Sequence, residues 1–168
     1  MGIKLILILI LCFLVIFISY KIFCYYKSRQ YFFQNLCEFC SYMESQISFL
    51  KMDLKSVVES KKGSYSKDFN SLLCSYQKIL EVKENFNEDF KLALSKIAIL
   101  KEDEKTKLFT FFDMLGKSNI VDQMAQIQSF KNDFSQNLST TEKENNKYGT
   151  MSVKLGLLLA VALFVIFI

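Results

Sequence analysis

The chain has 168 residues, with 21 Lys+Arg against 17 Asp+Glu, five cysteines, and no histidine, proline or tryptophan. A net charge of +4, three units of it from Lys4, Lys21 and Lys154, excludes the dense basic face of a nucleic-acid binder. The lack of histidine removes the commonest general base and metal ligand, and an odd cysteine count fits a reducing compartment better than a disulfide framework.

The first element is apolar. Lys4 precedes an unbroken run from Leu5 to Ile18, followed by Ser19, Tyr20 and Lys21. A helix needs about 20 apolar residues to cross ~30 Å of hydrocarbon. The run approaches that length with Tyr20, Ile22 and Phe23, and Lys4 and Lys21 can snorkel to the two surfaces. No small-x-small cleavage site follows, and Leu11 before Cys12 does not fit a lipoprotein signal, so an uncleaved anchor is expected. The last stretch, VKLGLLLAVALFVIFI, has no charge after Lys154. As a helix, Leu155 to Ile168 covers about 21 Å, a short span that Met151 to Val153 can lengthen. Lys21, Lys27 and Arg29 follow the first run, and Lys143, Lys147 and Lys154 precede or open the second. The positive-inside rule therefore places the middle in the cytoplasm and both termini across the membrane. The expected division is an anchor at 1–26, a cytosolic helical domain at 27–150 and a C-terminal transmembrane segment at 151–168.

The middle reads as helices. Phe33, Leu36, Cys40, Met43, Ile47, Leu50, Leu54 and Val57 alternate steps of three and four, which predicts one long rod continuing the first span. KKGS stops it, with Gly63 suited to the end of a helix. Ser66 is expected to cap KDFNSLLCSYQKILEV, whose apolar face is Phe69, Leu72, Leu73, Tyr76, Ile79 and Leu80. Asn87 is expected to cap EDFKLALSKIAIL, and EDEKTKLFTFFDMLG runs from about Glu102 to Gly116. Ser118 or Asn119 opens the last helix, striped by Ile120, Met124, Ile127, Phe130, Phe134 and Leu138. The polar run STTEKENNK then reads as a solvated stalk in preference to a hinge. Entering and leaving helices must both return to one membrane. The fold expected is thus all-α: an antiparallel helical bundle of about five helices, its N- and C-terminal helices extending into the membrane.

Candidate chemistry is sparse. Cys37 and Cys40 form a CxxC, but within a helix and without the strand–helix setting of a redox motif. Only Cys74 adds a nearby thiol, so a four-ligand zinc site is not built, and the pair reads as helix packing. Cys24 is a membrane-edge cysteine, a candidate for acylation or simply lipid-facing. Glu102, Asp103 and Glu104 suit a helix N-terminus. LGKS lacks the earlier glycine and the strand of a phosphate loop. Tyr20, Tyr25, Tyr26 and Tyr148 fit an interfacial belt, and YYKSRQYFFQ reads as membrane surface sooner than nucleic-acid platform. These residues predict no enzyme, no cofactor, no metal, no nucleic-acid partner and no small-molecule substrate.

LGKSNIVDQMAQI resembles a segment of the stage III sporulation protein AB family through Leu115, Gly116, Ser118, Asp122 and Gln123. The tail resembles that family's closing segment through Gly149, Leu155 and Gly156, while Phe90 stands where the family has a tryptophan. The order of span, helical domain and span agrees. The resemblance implies a domain similar to the cytoplasmic domains of the type II secretion platform protein. It also implies a scaffold role in endospore formation, on the mother-cell side of the outer forespore membrane. The partners implied are a cytosolic secretion-type ATPase, stage III sporulation protein AA, and other membrane subunits of a transenvelope channel. A generic two-span helical scaffold of another envelope assembly is the alternative. Physically, Leu115 to Gln123 reads first as a capped helix–helix corner and second as a partner-binding one, and Gly156 as a point of close helix approach.

Overall fold

The computed structural model describes residues 2–50, 53–82, 86–117 and 119–167. These residues form an all-α, antiparallel helical bundle, with no strand among them. Contacts divide the chain into two compact units, residues 31–138 and residues 1–30 with 139–168.

Helix α1 (Gly2–Leu50) runs without a break, about 70 Å at 1.5 Å per residue. In the 31–138 unit its heptad seam is buried as expected: Phe33, Leu36, Cys40 and Met43 are fully covered and Ile47 nearly so. Phe32 and Phe39, beside the seam, are covered as well, so the buried face is wider than a two-position stripe. The rod ends sooner than its periodicity suggested. Asp53 adopts extended backbone, accepts from the Ser56 backbone N–H at 3.4 Å and from its hydroxyl at 2.6 Å, and starts a separate α2 (Leu54–Ser60). The seam continues through Val57, but on a new helix.

Gly63 has φ +85°, the left-handed conformation that stops the chain after α2, and its N–H bonds Asn70 Oδ1 at 2.7 Å. Ser66 precedes α3 (Lys67–Val82), but its hydroxyl is buried without a partner and caps nothing. Its backbone N–H instead binds Asn35 Oδ1 of α1 at 2.8 Å, so position replaces side-chain capping. The face expected for α3 is correct: Phe69, Leu72, Leu73 and Tyr76 are buried and Ile79 and Leu80 pack against them.

Helix α4 (Phe86–Ser95) begins before Asn87, which lies in the first turn and is not its cap, and ends short of Leu100. Ile97 and Leu100 are still buried, in turns. In α5 (Glu102–Met114) Glu104 is buried, and its carboxylate accepts the Lys101 N–H at 2.7 Å; it closes the first turn while Glu102 and Asp103 stay exposed. The last helix comprises α6 (Ile120–Glu144), a π-helical turn (Asn145–Gly149) and α7 (Thr150–Phe167), 48 continuous residues.

The 31–138 unit is held by aromatic rings. Phe112 lies 4.7 Å from Tyr76, 5.1 Å from Phe90 and 6.5 Å from Phe39 between centroids. The Tyr76 hydroxyl donates to the Phe112 carbonyl at 3.2 Å, which lets a polar tip lie in the core. Each buried ring contributes about 1.5–3 kcal/mol relative to exposure. Phe90, in the place where a tryptophan was expected by resemblance, fills this centre.

Candidate functional site: a helix corner and a small-residue seam

The five corner residues fall at the α5–α6 junction, four of them within the described structure; Ser118 lies outside it. Leu115 ends α5 in extended backbone and is nearly buried. Gly116 follows at φ +79°, where a side chain is strained even though its nearest obstacle, Leu54 Cδ2, is 3.7 Å from the Cβ position. Lys117 pairs with Asp113 one turn back. Asn119 caps α6: its Oδ1 accepts the Asp122 N–H at 2.9 Å, and its Nδ2 donates to Asp122 Oδ2 at 2.7 Å. Asp122 thus sits in the first turn, held by the cap, and Gln123 is largely buried.

Sequence reading missed two residues here. Ile120 is half exposed and Val121 is 78% exposed, so Ile120 does not belong to the buried stripe of α6. Leu115 and Lys117 also edge an open groove of about 670 Å³, whose floor is Tyr76, Ile79, Leu80, Phe86 and Phe112, with Glu88 and Asp113 at the rim. Only local amphipathicity near the corner, two apolar residues right after a cap, could have hinted at this.

In the other unit, α1 and α7 meet along small residues. Ser152 Oγ lies 3.2 Å from the Ser19 carbonyl, while its closer acceptor, at 2.7 Å, is the Gly149 carbonyl one turn back, and Cys12 Sγ donates to the Ala160 carbonyl at 3.3 Å. Gly156 is buried, and a Cβ there would stand 2.5 Å from Ser19 Cβ, so the close approach expected at this position is present. Lys4, Lys21 and Lys154 are exposed. Toward the other end of this contact Arg29, only 1% exposed, has Nε 3.5 Å from Glu144, and Asn145 donates to Gln30 at 2.8 Å. Tyr26 and Tyr148 stack at 5.7 Å instead of both facing lipid, and Thr141 is buried. One face of the segment 139–147 is therefore packed, through Thr141, Glu144 and Asn145, while Ser139, Thr140, Glu142, Lys143, Asn146 and Lys147 stay exposed as a stalk would leave them. Sequence read Arg29 as a surface charge because burial of one cation leaves no periodic trace.

Cys37 and Cys40 do not form a reactive pair. Cys40 is fully covered in the core and burial raises its thiol strongly; burial also pushes Cys37 up to about 11. Thiols held protonated at neutral pH are poor nucleophiles and poor ligands. Among the described residues no group of three or more His, Cys, Asp or Glu is placed to hold a metal.

These features define an all-α protein with two helices long and apolar enough to cross a membrane, packed on each other through small residues. The sequence model of the stage III sporulation protein AB family matches residues 4–168, and the chain belongs to that family. No curated protein and no solved structure matches it.

Proposed function

We propose that the protein is a membrane-anchored platform of a secretion-like transenvelope complex in endospore formation, coupling a cytosolic secretion-type ATPase to the channel. The observation that carries this is family membership over residues 4–168, joined to a hairpin of two apolar helices that bracket a helical domain. In this reading the first apolar run and α7 cross the membrane. The domain, about residues 27–150, is cytoplasmic, and both chain ends lie across the bilayer. In this reading the protein binds and positions partners and performs no catalysis: Cys40 is buried in the core, Glu104 closes the first turn of α5, and Asp113 pairs with Lys117.

The α5–α6 corner is the proposed partner face. Its caps fix the turn, and they leave Ile120 and Val121 in solvent, where apolar side chains are available to a neighbour. The test is retention of stage III sporulation protein AA by the full-length protein in detergent. Wild-type chain retains the ATPase; Val121→Glu, at a position too exposed to affect folding, reduces retention at least tenfold with unchanged Tm. If the wild-type chain retains no ATPase, the generic scaffold reading replaces the platform. If Val121→Glu binds normally, the corner is structural only. A reporter fused after Ile168 and active only in the cytoplasm would reverse the two-span topology.

A further inference from the structure

The π-helical turn at Asn145–Gly149 interrupts an otherwise α-helical run of 48 residues, and it falls between two buried patches of the same helix. Before it, Thr141 is 1% exposed. Beyond its start, the buried residues are Gly149, Gly156 and Ala160. At about 100° per residue, a straight α-helix places Gly149 roughly 80°, Gly156 roughly 60° and Ala160 roughly 100° round from Thr141. Ser152, which also meets α1, lies roughly 20° round, so the four average about 65° to one side of Thr141. With one residue absorbed, the angles become about −20°, −80°, −40° and 0° in chain order, an average of about −35°, so the seam lies nearer the face of Thr141.

The partner needs no such correction. Along α1 the contacting residues Cys12, Ser19, Tyr26 and Gln30 fall on one face of an uninterrupted helix. The turn itself is tightly built. A Cβ at Gly149 would meet the Asn145 side chain and stand 3.4 Å from Tyr26 Cβ, and Asn145 Oδ1 is buried without a hydrogen-bond partner.

We propose that the π-turn is a one-residue register adjuster. It stores the surplus residue that lets a single continuous helix present both its polar inner patch (Thr141, Glu144, Asn145) and its small-residue seam (Gly149, Gly156, Ala160) to the same face of α1. The surplus lies among Asn146 and Lys147, both exposed and used by neither patch.

Deleting a residue from the turn should thus be tolerated where adding one is not. The experiment uses the full-length chain in detergent, with Cys24, Cys37, Cys40 and Cys74 replaced by alanine. Two oxidation reporters are made separately: the upper pair, Gln30→Cys with Asn145→Cys at the first residue of the turn, ahead of the surplus at Asn146 and Lys147, and the lower pair, native Cys12 with Ala160→Cys beyond it. Disulfide formation is read as loss of alkylatable thiols by intact mass. Deletion of Lys147 is expected to leave both reporters oxidising to within twofold of the undeleted chain, with the turn now α-helical. Insertion of one alanine after Lys147 is expected to retain the upper pair and reduce the lower pair at least fivefold. The retained upper pair shows that the variant folds. Loss of the lower pair in the deletion variant, or its survival in the insertion variant, overturns the proposal. A deletion variant that loses both pairs overturns it equally, since an adjuster that can be removed must leave both patches engaged.

Discussion

Replacing Gly156 by alanine adds one methyl group at the tightest point between α1 and α7. Its carbon would stand 2.5 Å from Ser19 Cβ, whereas carbon atoms in contact settle at about 3.5–4.0 Å. The Ser19 hydroxyl can rotate away, but its Cβ is fixed to the backbone, so the helices must part by roughly 1–1.5 Å. Separation on that scale stretches the Cys12–Ala160 hydrogen bond, now 3.3 Å, beyond useful length and removes the 3.2 Å approach of Ser152 Oγ to the Ser19 carbonyl. Overpacking costs about 1–3 kcal/mol, and each interhelical hydrogen bond within a membrane contributes about 0.6 kcal/mol. The expected loss is about 2–4 kcal/mol, a shift of roughly thirty-fold to several hundred-fold in the equilibrium of the packed hairpin. Titration of the full-length protein from mild detergent into dodecyl sulfate, followed by circular dichroism and by proteolysis, measures it. Ser19→Gly in the same chain removes the opposing Cβ and should restore more than half of the loss. If Gly156→Ala unfolds at the wild-type sulfate fraction, or if Ser19→Gly gives no rescue, the reasoning from close approach is wrong.

The remaining expectations concern the 31–138 unit. Gly116→Val should lower Tm, with a cost of about 1–2 kcal/mol from forcing a branched side chain into positive φ; an unchanged Tm with lost partner binding would make the corner a recognition element first. Phe112→Ala removes the ring shared by Tyr76, Phe90 and Phe39 and should cost about 3–5 kcal/mol, read as a lowered thermal midpoint and slower-migrating, protease-sensitive protein. Asn119→Ala should cost about 1 kcal/mol through loss of the α6 cap, seen as faster amide exchange in the first turn of α6. The folded state holds the Cys37 thiol protonated, with its pKa raised from 9.0 to about 11. The stability this contributes is complete below pH 9 and fades as pH rises through about 11. Wild-type protein should therefore lose Tm relative to Cys37→Ser between pH 8 and pH 10.5, and equal losses in the two proteins would argue against the shift.

Much of the architecture was readable because burial leaves a period. The α1 seam from Phe33 to Ile47 and the α3 face from Phe69 to Tyr76 follow directly from apolar spacing. Caps were harder, since Ser, Asn and Asp announce a boundary without choosing which of them serves. Asp53 broke a rod whose apolar spacing continued through it, while the Ser66 hydroxyl, placed where a cap belongs, bonds nothing. At the corner, Gly116 and Asn119 were legible from turn chemistry, but the exposure of Ile120 and Val121 was not, because helix phase at an N-terminus is set by tertiary packing. The π-turn was invisible for a related reason: its flanks are polar, so a one-residue offset displaces no apolar stripe that the eye could follow.

The covered side of α7 uses Gly149 from the turn before it, then Ser152, Gly156 and Ala160. What remains outside is bulky: Leu155, Leu157, Leu158, Val161, Val165 and Ile166 are all exposed, with Ala162 the one small side chain among the described exposed residues of the segment after Lys154. Close approach of a third helix needs a notch of consecutive small residues, and α7 has spent its notch on α1. On its uncovered side α7 therefore presents one smooth, bulky face. Contacts of other helices with such a face are weak and unselective, so the choice of neighbours falls to the helical domain.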